Sequence, residues 1–191
     1  QTAFGFSLAI AILFGAIVMP TDPVSVLALF EDLGVPERLN ILVEGESLLN
    51  DGVSIVVYAS VFAVLVEAET RGAELADLVT PAALLGDIGV GIFVALVGGA
   101  VGGGVVGYAV YVLIARVDDE LTAVVLSFLA AYGVYLALDL LGSSGVIGTL
   151  TAGIILASHA RNTNVSPETS FTVRSVWRYS AFVANTIVFV L

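Results

Sequence analysis

The chain has 191 residues, of which 59% are hydrophobic and 12% charged, and its formal net charge is −11. Soluble domains carry about 45–50% apolar and about 25% charged residues, so an ordinary soluble enzyme is excluded and an integral membrane protein is required. The lack of Cys removes disulfides and thiolate chemistry, one His removes a polyhistidine metal site, and six cationic residues against 17 acidic ones exclude a basic nucleic-acid surface.

A spanning helix takes about 20 mostly apolar residues. Reading in chain order gives an all-α polytopic membrane protein with about six transmembrane helices. The first stretch covers residues 4–33 and is broken at Pro20-Thr21-Asp22-Pro23. The second covers 41–66, with its polar residues in the first half. An acidic connection follows at 67–87, with an amphipathic stretch over 73–84 that touches the interface. The third covers 88–115, where Gly98, Gly102 and Gly99, Gly103, Gly107 recur every four residues. Small residues at that spacing let helix backbones approach closely in lipid. The fourth covers 121–141 and the fifth 146–158. The sixth begins near Val176 and meets the end of the chain inside an apolar run. Both ends fall in such runs, so the expectation is the middle part of a longer protein.

Sidedness follows from arginine. The connections near Arg38, Arg116 and Arg161 to Arg178 alternate onto one side and hold five of the six Arg. That side is expected to be cytoplasmic, with Arg71 opposite. All six cations are Arg and none is Lys, a composition expected of a salt-adapted source.

Two polar clusters interrupt the apolar stretches, and polar groups at membrane depth are functional candidates by default. In the first, Pro20 and Pro23 remove backbone donors and leave carbonyls near Ala16 and Met19 without their usual partners. Unwound backbone within a membrane faces protein or a water-filled cavity. Free carbonyls, the Thr21 hydroxyl and the Asp22 carboxylate together suit a hard monovalent cation, as broken helices do in secondary transporters. The plainer alternative is a Pro-containing turn with Asp22 as a helix cap.

The second cluster is Glu44-Gly45-Glu46-Ser47-Leu48-Leu49-Asn50-Asp51-Gly52. On a helix Ser47 and Asp51 share a face, and Glu46 and Asn50 share the neighbouring one. Ser54 sits one turn beyond Asp51. Glu44 reads equally well as an acid at a helix start, whereas Asp51 lies about two turns deeper.

Thr-Asp-Pro-Val followed by Glu-Gly-Glu-Ser-Leu-Leu-Asn-Asp-Gly resembles the monovalent cation:proton antiporter-1 family, the sodium/proton antiporters of NhaP and NHE type. Order, separation and intervening turn all match over residues 17–58. The resemblance implies a larger inverted-repeat antiporter fold and a homodimer of long subunits. On this division residues 1–66 are part of the ion-binding core, 67–87 an extracellular connection, 88–175 linker and dimerisation-type helices, and 176–191 the start of a further helix. It also implies that Asp51 binds the ion and the proton, completed by Asp22, Thr21 and Ser47 as the Na+ ligands. Asn50, Glu46, Pro20 and Pro23 support the site. An Asn-Asp pair at 50–51 implies electroneutral exchange, and Glu46 implies an Arg partner on a later helix, expected beyond Leu191. Pro20, where many relatives have Ala, is a departure that alters the break and leaves the ligands in place.

One carboxylate that binds either H+ or a cation makes the two compete. Exchange is obligatory if the empty, charged carboxylate cannot cross. The expected substrates are Na+ (or K+ or Li+) and H+, no cofactor is expected, and the location is the cell membrane. The competing readings are a passive cation channel, which needs a continuous ligand-lined pore, and a non-transporting scaffold or sensor, in which the acids are dispensable. A membrane enzyme lacks any nucleophile–base pair.

Among the remaining polar residues, Asp139 is expected at a solvated helix end and His159 at a solvated loop start. Trp177 and Tyr179 suit an interfacial belt, and Asn185 is expected to be buried and bonded to another helix.

Overall fold

Prolines, glycines and capping side chains decide where the helices of this chain start and stop. In the computed structural model, residues 7–21, 23–71, 80, 82, 86, 88–160 and 165–190 are described, and their regular structure is helical throughout. The helices are α1 (Leu8–Val18), α2 (Val24–Leu33), α3 (Glu37–Arg71), α4 (Gly89–Val117), α5 (Glu120–Leu140), α6 (Gly145–Ala160) and α7 (Pro167–Val190). Residues 1–97 and 98–191 form two compact units, and α4 begins in the first and continues in the second.

In the first unit, the Ser7 hydroxyl caps α1 by accepting from the Ile10 N–H at 3.3 Å. The last ladder bond of α1 runs from the Met19 N–H to the Gly15 carbonyl at 2.9 Å. Pro20 cannot continue it, and helix resumes only at Val24. The expected break therefore falls where the prolines put it, with Asp22 itself outside the described residues. α2 ends at Gly34, whose φ of 65° is the left-handed conformation glycine favours. There the Val35 N–H returns to the Phe30 carbonyl at 3.0 Å, a six-to-one closure of the helix end. α3 then runs for 35 residues, four residues earlier and five later than the apolar run of 41–66, because neither Glu37 nor the acidic 67–71 stretch breaks a helix. α1 lies antiparallel to α3, with Ala9 and Val61 buried together among Ile12, Leu13, Val64 and Leu65.

In the second unit, the glycine stripe of α4 meets α6 at backbone distance. A Cβ on Gly107 would stand 2.7 Å from the Ala152 Cα, and one on Gly103 would overlap Gly148. The close-packing reading of the stripe holds. Val110, Ile114, Ala123 and Ala130 form the main core, with Leu126, Leu156, Val165 and Val173 against it. The turn from α4 to α5 is two residues long. Asp118 closes α4 with φ 43°, and Asp119 caps α5 by accepting from the Thr122 N–H at 2.8 Å.

Among the described residues, three helices are long and apolar enough to cross a membrane: Glu37–Thr70, Gly89–Val117 and Glu120–Leu140. α1 and α6 are apolar but shorter. The helix expected from Val176 begins at Pro167, nine residues earlier. The cause is local: Ser166 caps it through the Thr169 N–H at 3.2 Å, Pro167 sits where no N–H is needed, and Glu168 lies in the first turn. Of the connection expected at 67–87, residues 72–79, 81, 83–85 and 87 lie outside the described residues, as does Arg161.

Candidate functional site

Thr21 stands in the gap between α1 and α2, outside both helices. Its carbonyl accepts a hydrogen bond from the Ser47 hydroxyl, which is buried on α3. This bond joins residues 26 positions apart and ties the break to the centre of the first half of α3. The structure thus brings the two polar clusters together, through the Thr21 main chain; the Thr21 residue as a whole is exposed.

Asp51 follows Ser47 by four residues on the same helix face and is half-buried. Asn50 is half-buried on the adjoining flank, and Glu46 is exposed. Pro20 is exposed and Pro23 half-buried, framing the break. Asp22, expected as a second carboxylate, is outside the described residues. The donors gathered on one face are a carbonyl, hydroxyls and a carboxylate. All are oxygen, the set that hard cations take.

One residue of this face carried no role in the sequence reading. Ser54, seven residues beyond Ser47, is buried, and its hydroxyl has no hydrogen-bond partner. The signal available in the sequence was the seven-residue interval from Ser47 to Ser54 to Val61, which keeps all three on one flank of a helix.

The second unit encloses a cavity of about 430 Å³. Ser127, Thr149, Thr169, Ser170 and Arg174 are the polar groups among its mostly apolar walls, and its described lining residues include no carboxylate. Trp177 stacks on Phe128 at 4.4 Å between ring centroids. Its indole N–H donates to Ser127 Oγ at 3.0 Å. His159, expected in a solvated loop, is half-buried on α6, its ring 5.7 Å from Tyr108 and 5.1 Å from Tyr111. Its Nδ1 lies 2.9 Å from the Ile155 carbonyl oxygen. Asn185, expected to be buried, is exposed, as is α7 over residues 181–188. Asp139 is exposed near the end of α5, as expected.

Among the described residues outside the spans, Asp118 and Asp119 have shifted proton affinities. The Ser166 backbone N–H donates to Asp118 Oδ1 at 3.0 Å and holds that carboxyl below the usual range. Thr122, through its hydroxyl and then its backbone N–H, does the same for Asp119.

A family model described as sodium/hydrogen exchanger, transmembrane, matches residues 2–191. The chain is 41% identical over 187 residues to the Na(+)/H(+) antiporter ApNhaP of Aphanothece halophytica, an alignment covering 98% of this chain and 34% of that protein. It is 38% identical over 188 residues to the low-affinity Na(+)/H(+) antiporter NhaS1 of Synechocystis, covering 98% and 33%. Against the Na(+)/H(+) antiporter NhaP of Pseudomonas aeruginosa it is 33% identical over 181 residues, covering 94% and 40%. The chain spans about a third of the length of the first two.

Proposed function

The chain belongs to the transmembrane sodium/hydrogen exchanger family, and from that premise we propose that it carries the cation site of an antiporter that exchanges Na+ for H+. The observation that carries this reading is the bond from Ser47 to the Thr21 carbonyl, with Asp51 on the same face of α3. It joins an unwound backbone segment to a helix bearing a carboxylate, the combination that holds alkali cations in broken-helix transporters.

Asp51 is the carboxylate for which Na+ and H+ compete. Thr21, Asp22 and Ser47 complete its ligand set, and Asn50, Glu46, Pro20 and Pro23 support it. A carboxylate that is protonated or paired with one cation is neutral, and a bare one is charged. Charge at membrane depth is costly, so the loaded forms cross and the empty form does not. That asymmetry couples the two ions one for one and makes the exchange electroneutral. K+ and Li+ are candidate substitutes for Na+. The protein works as a homodimer in the cell membrane, with the Arg38, Arg116 and Arg161 connections in the cytoplasm.

The test is dye-reported proton movement in inverted membrane vesicles holding the protein from its complete gene. NaCl or KCl is added to wild type and to Asp51→Asn. Cation-driven proton movement in wild type that disappears in the variant is the expected result. Equal responses in both would leave Asp51 a structural residue and the proposal without its central group.

A further inference from the structure

One seam of α3 meets the α1 side at Ser47 and Val61. Ser47, Ser54, Val61 and Ala68 recur every seven residues and are 6%, 1%, 1% and 3% exposed. Two positions on that seam have partners on the α1 side. Ser47 donates to the Thr21 carbonyl, and Val61 packs with Ala9. Ser54 lies between them, sealed from solvent, with a hydroxyl that bonds to nothing. A buried hydroxyl without a partner is destabilising, and Ala at that position would avoid the cost. Among the described residues nothing satisfies this hydroxyl, and the position suits an oxygen that meets a ligand.

Two pieces of geometry say what that is. Asp51 comes four residues after Ser47 and three before Ser54, so hydroxyls flank the carboxylate along the same face. The register set by Thr21 with Ser47 and Ala9 with Val61 puts Ser54 opposite the turn of α1 around Ala16. Ala16 is buried at 6% exposure, and Pro20 offers no N–H to its carbonyl. The Ser54 position is thus level with the Ala16 turn of α1 and one helical turn from Asp51.

We propose that Ser54 is a further ligand of the transported cation, facing the Ala16 carbonyl, and that it sets the preference among alkali cations. The inference rests on the reading of Asp51 as the exchanging carboxylate. Each oxygen removed from a site of fixed size matters more to an ion that needs more ligands. Loss of the Ser54 hydroxyl therefore weakens Na+ more than the smaller Li+.

The experiment compares wild type, Ser54→Ala, Ser54→Thr and Asp51→Asn from the complete gene in inverted vesicles, with Na+ and Li+ titrated separately. Thermal stabilisation of each purified protein by NaCl is measured alongside. For Ser54→Ala the apparent KM for Na+ rises about tenfold, the maximal rate stays within about twofold, and the preference moves toward Li+. Its stabilisation by NaCl requires about tenfold more salt, while Ser54→Thr behaves as wild type. A merely structural serine moves the melting temperature and none of these. Ser54→Ala with the wild-type KM, preference and Na+ stabilisation overturns the inference, and if Asp51→Asn has meanwhile lost exchange, the site itself stands. Exchange retained in Asp51→Asn overturns both.

Discussion

Ser47 gives its single proton to a carbonyl that neither neighbouring helix uses. The oxygen lone pairs of that hydroxyl remain available on the same face as Asp51. Which residue types gather here was legible in the sequence, because two prolines around Thr21-Asp22 and a Ser–Asp interval of four residues are local signals. Which oxygen of Thr21 meets Ser47 was not, since it depends on how α1 lies against α3. His159 failed to read correctly for the same reason: its pocket is made by Tyr108 and Tyr111, far away in sequence. Two other carboxylates support a prediction at this scale. Asp118 and Asp119 hold their protons less tightly in the folded chain than in the unfolded one. Their contribution is present above the usual carboxylate range, about pH 4, and is lost as the pH falls through it. The wild-type melting temperature in detergent should fall more steeply between pH 5 and pH 3 than that of the Asp118→Asn/Asp119→Asn double variant. The asparagines keep an acceptor for the Ser166 and Thr122 N–H groups but no titrating charge. Parallel pH profiles for the two proteins would show that these bonds do not report on folding.

Helix boundaries were legible wherever a proline, a glycine or a cap writes them into the chain, as at Pro20, Gly34 and Asp119. They were missed where apolarity stood in for helicity. α3 extends through charged residues at both ends, and α7 begins at a serine cap rather than at its apolar half. The glycine stripe of α4 supplies the prediction for elements. Gly103→Ala drives a methyl into the backbone of Gly148. Backbone cannot rotate away as a side chain does, so the cost is about 3 kcal/mol, the upper end for overpacking. Gly104→Ala places its Cβ 3.9 Å from the Thr151 methyl, an ordinary contact, and it gains about 0.5–1 kcal/mol of helix propensity. Thermal unfolding of both variants checks the pair. Similar melting temperatures would mean that α4 and α6 do not approach as closely as described.

At the scale of the whole molecule, the membrane class follows from composition alone, since 12% charged residues cannot clothe a soluble surface. Packing partners do not follow from composition, which is why Asn185 was read as buried and the stacking of Trp177 on Phe128 was not foreseen. Sidedness is a property of this scale and is open to direct measurement. The chain holds no cysteine, so Arg38→Cys, Arg116→Cys and Arg71→Cys each introduce a unique thiol within it. A membrane-impermeant thiol reagent should label positions 38 and 116 in inverted vesicles and position 71 in right-side-out vesicles. The reverse pattern would invert the proposed topology. The length of α3 carries a mechanical consequence. Thirty-five residues make a rod of about 52 Å, against a hydrocarbon slab of about 30 Å. A rod with about 20 Å to spare keeps the unpaired amides and carbonyls of its two ends in water. Sliding such a rod along its axis by one turn, about 5 Å, brings neither end into the oil. The residues proposed to hold the ion can therefore change depth together without uncovering a single peptide group to lipid.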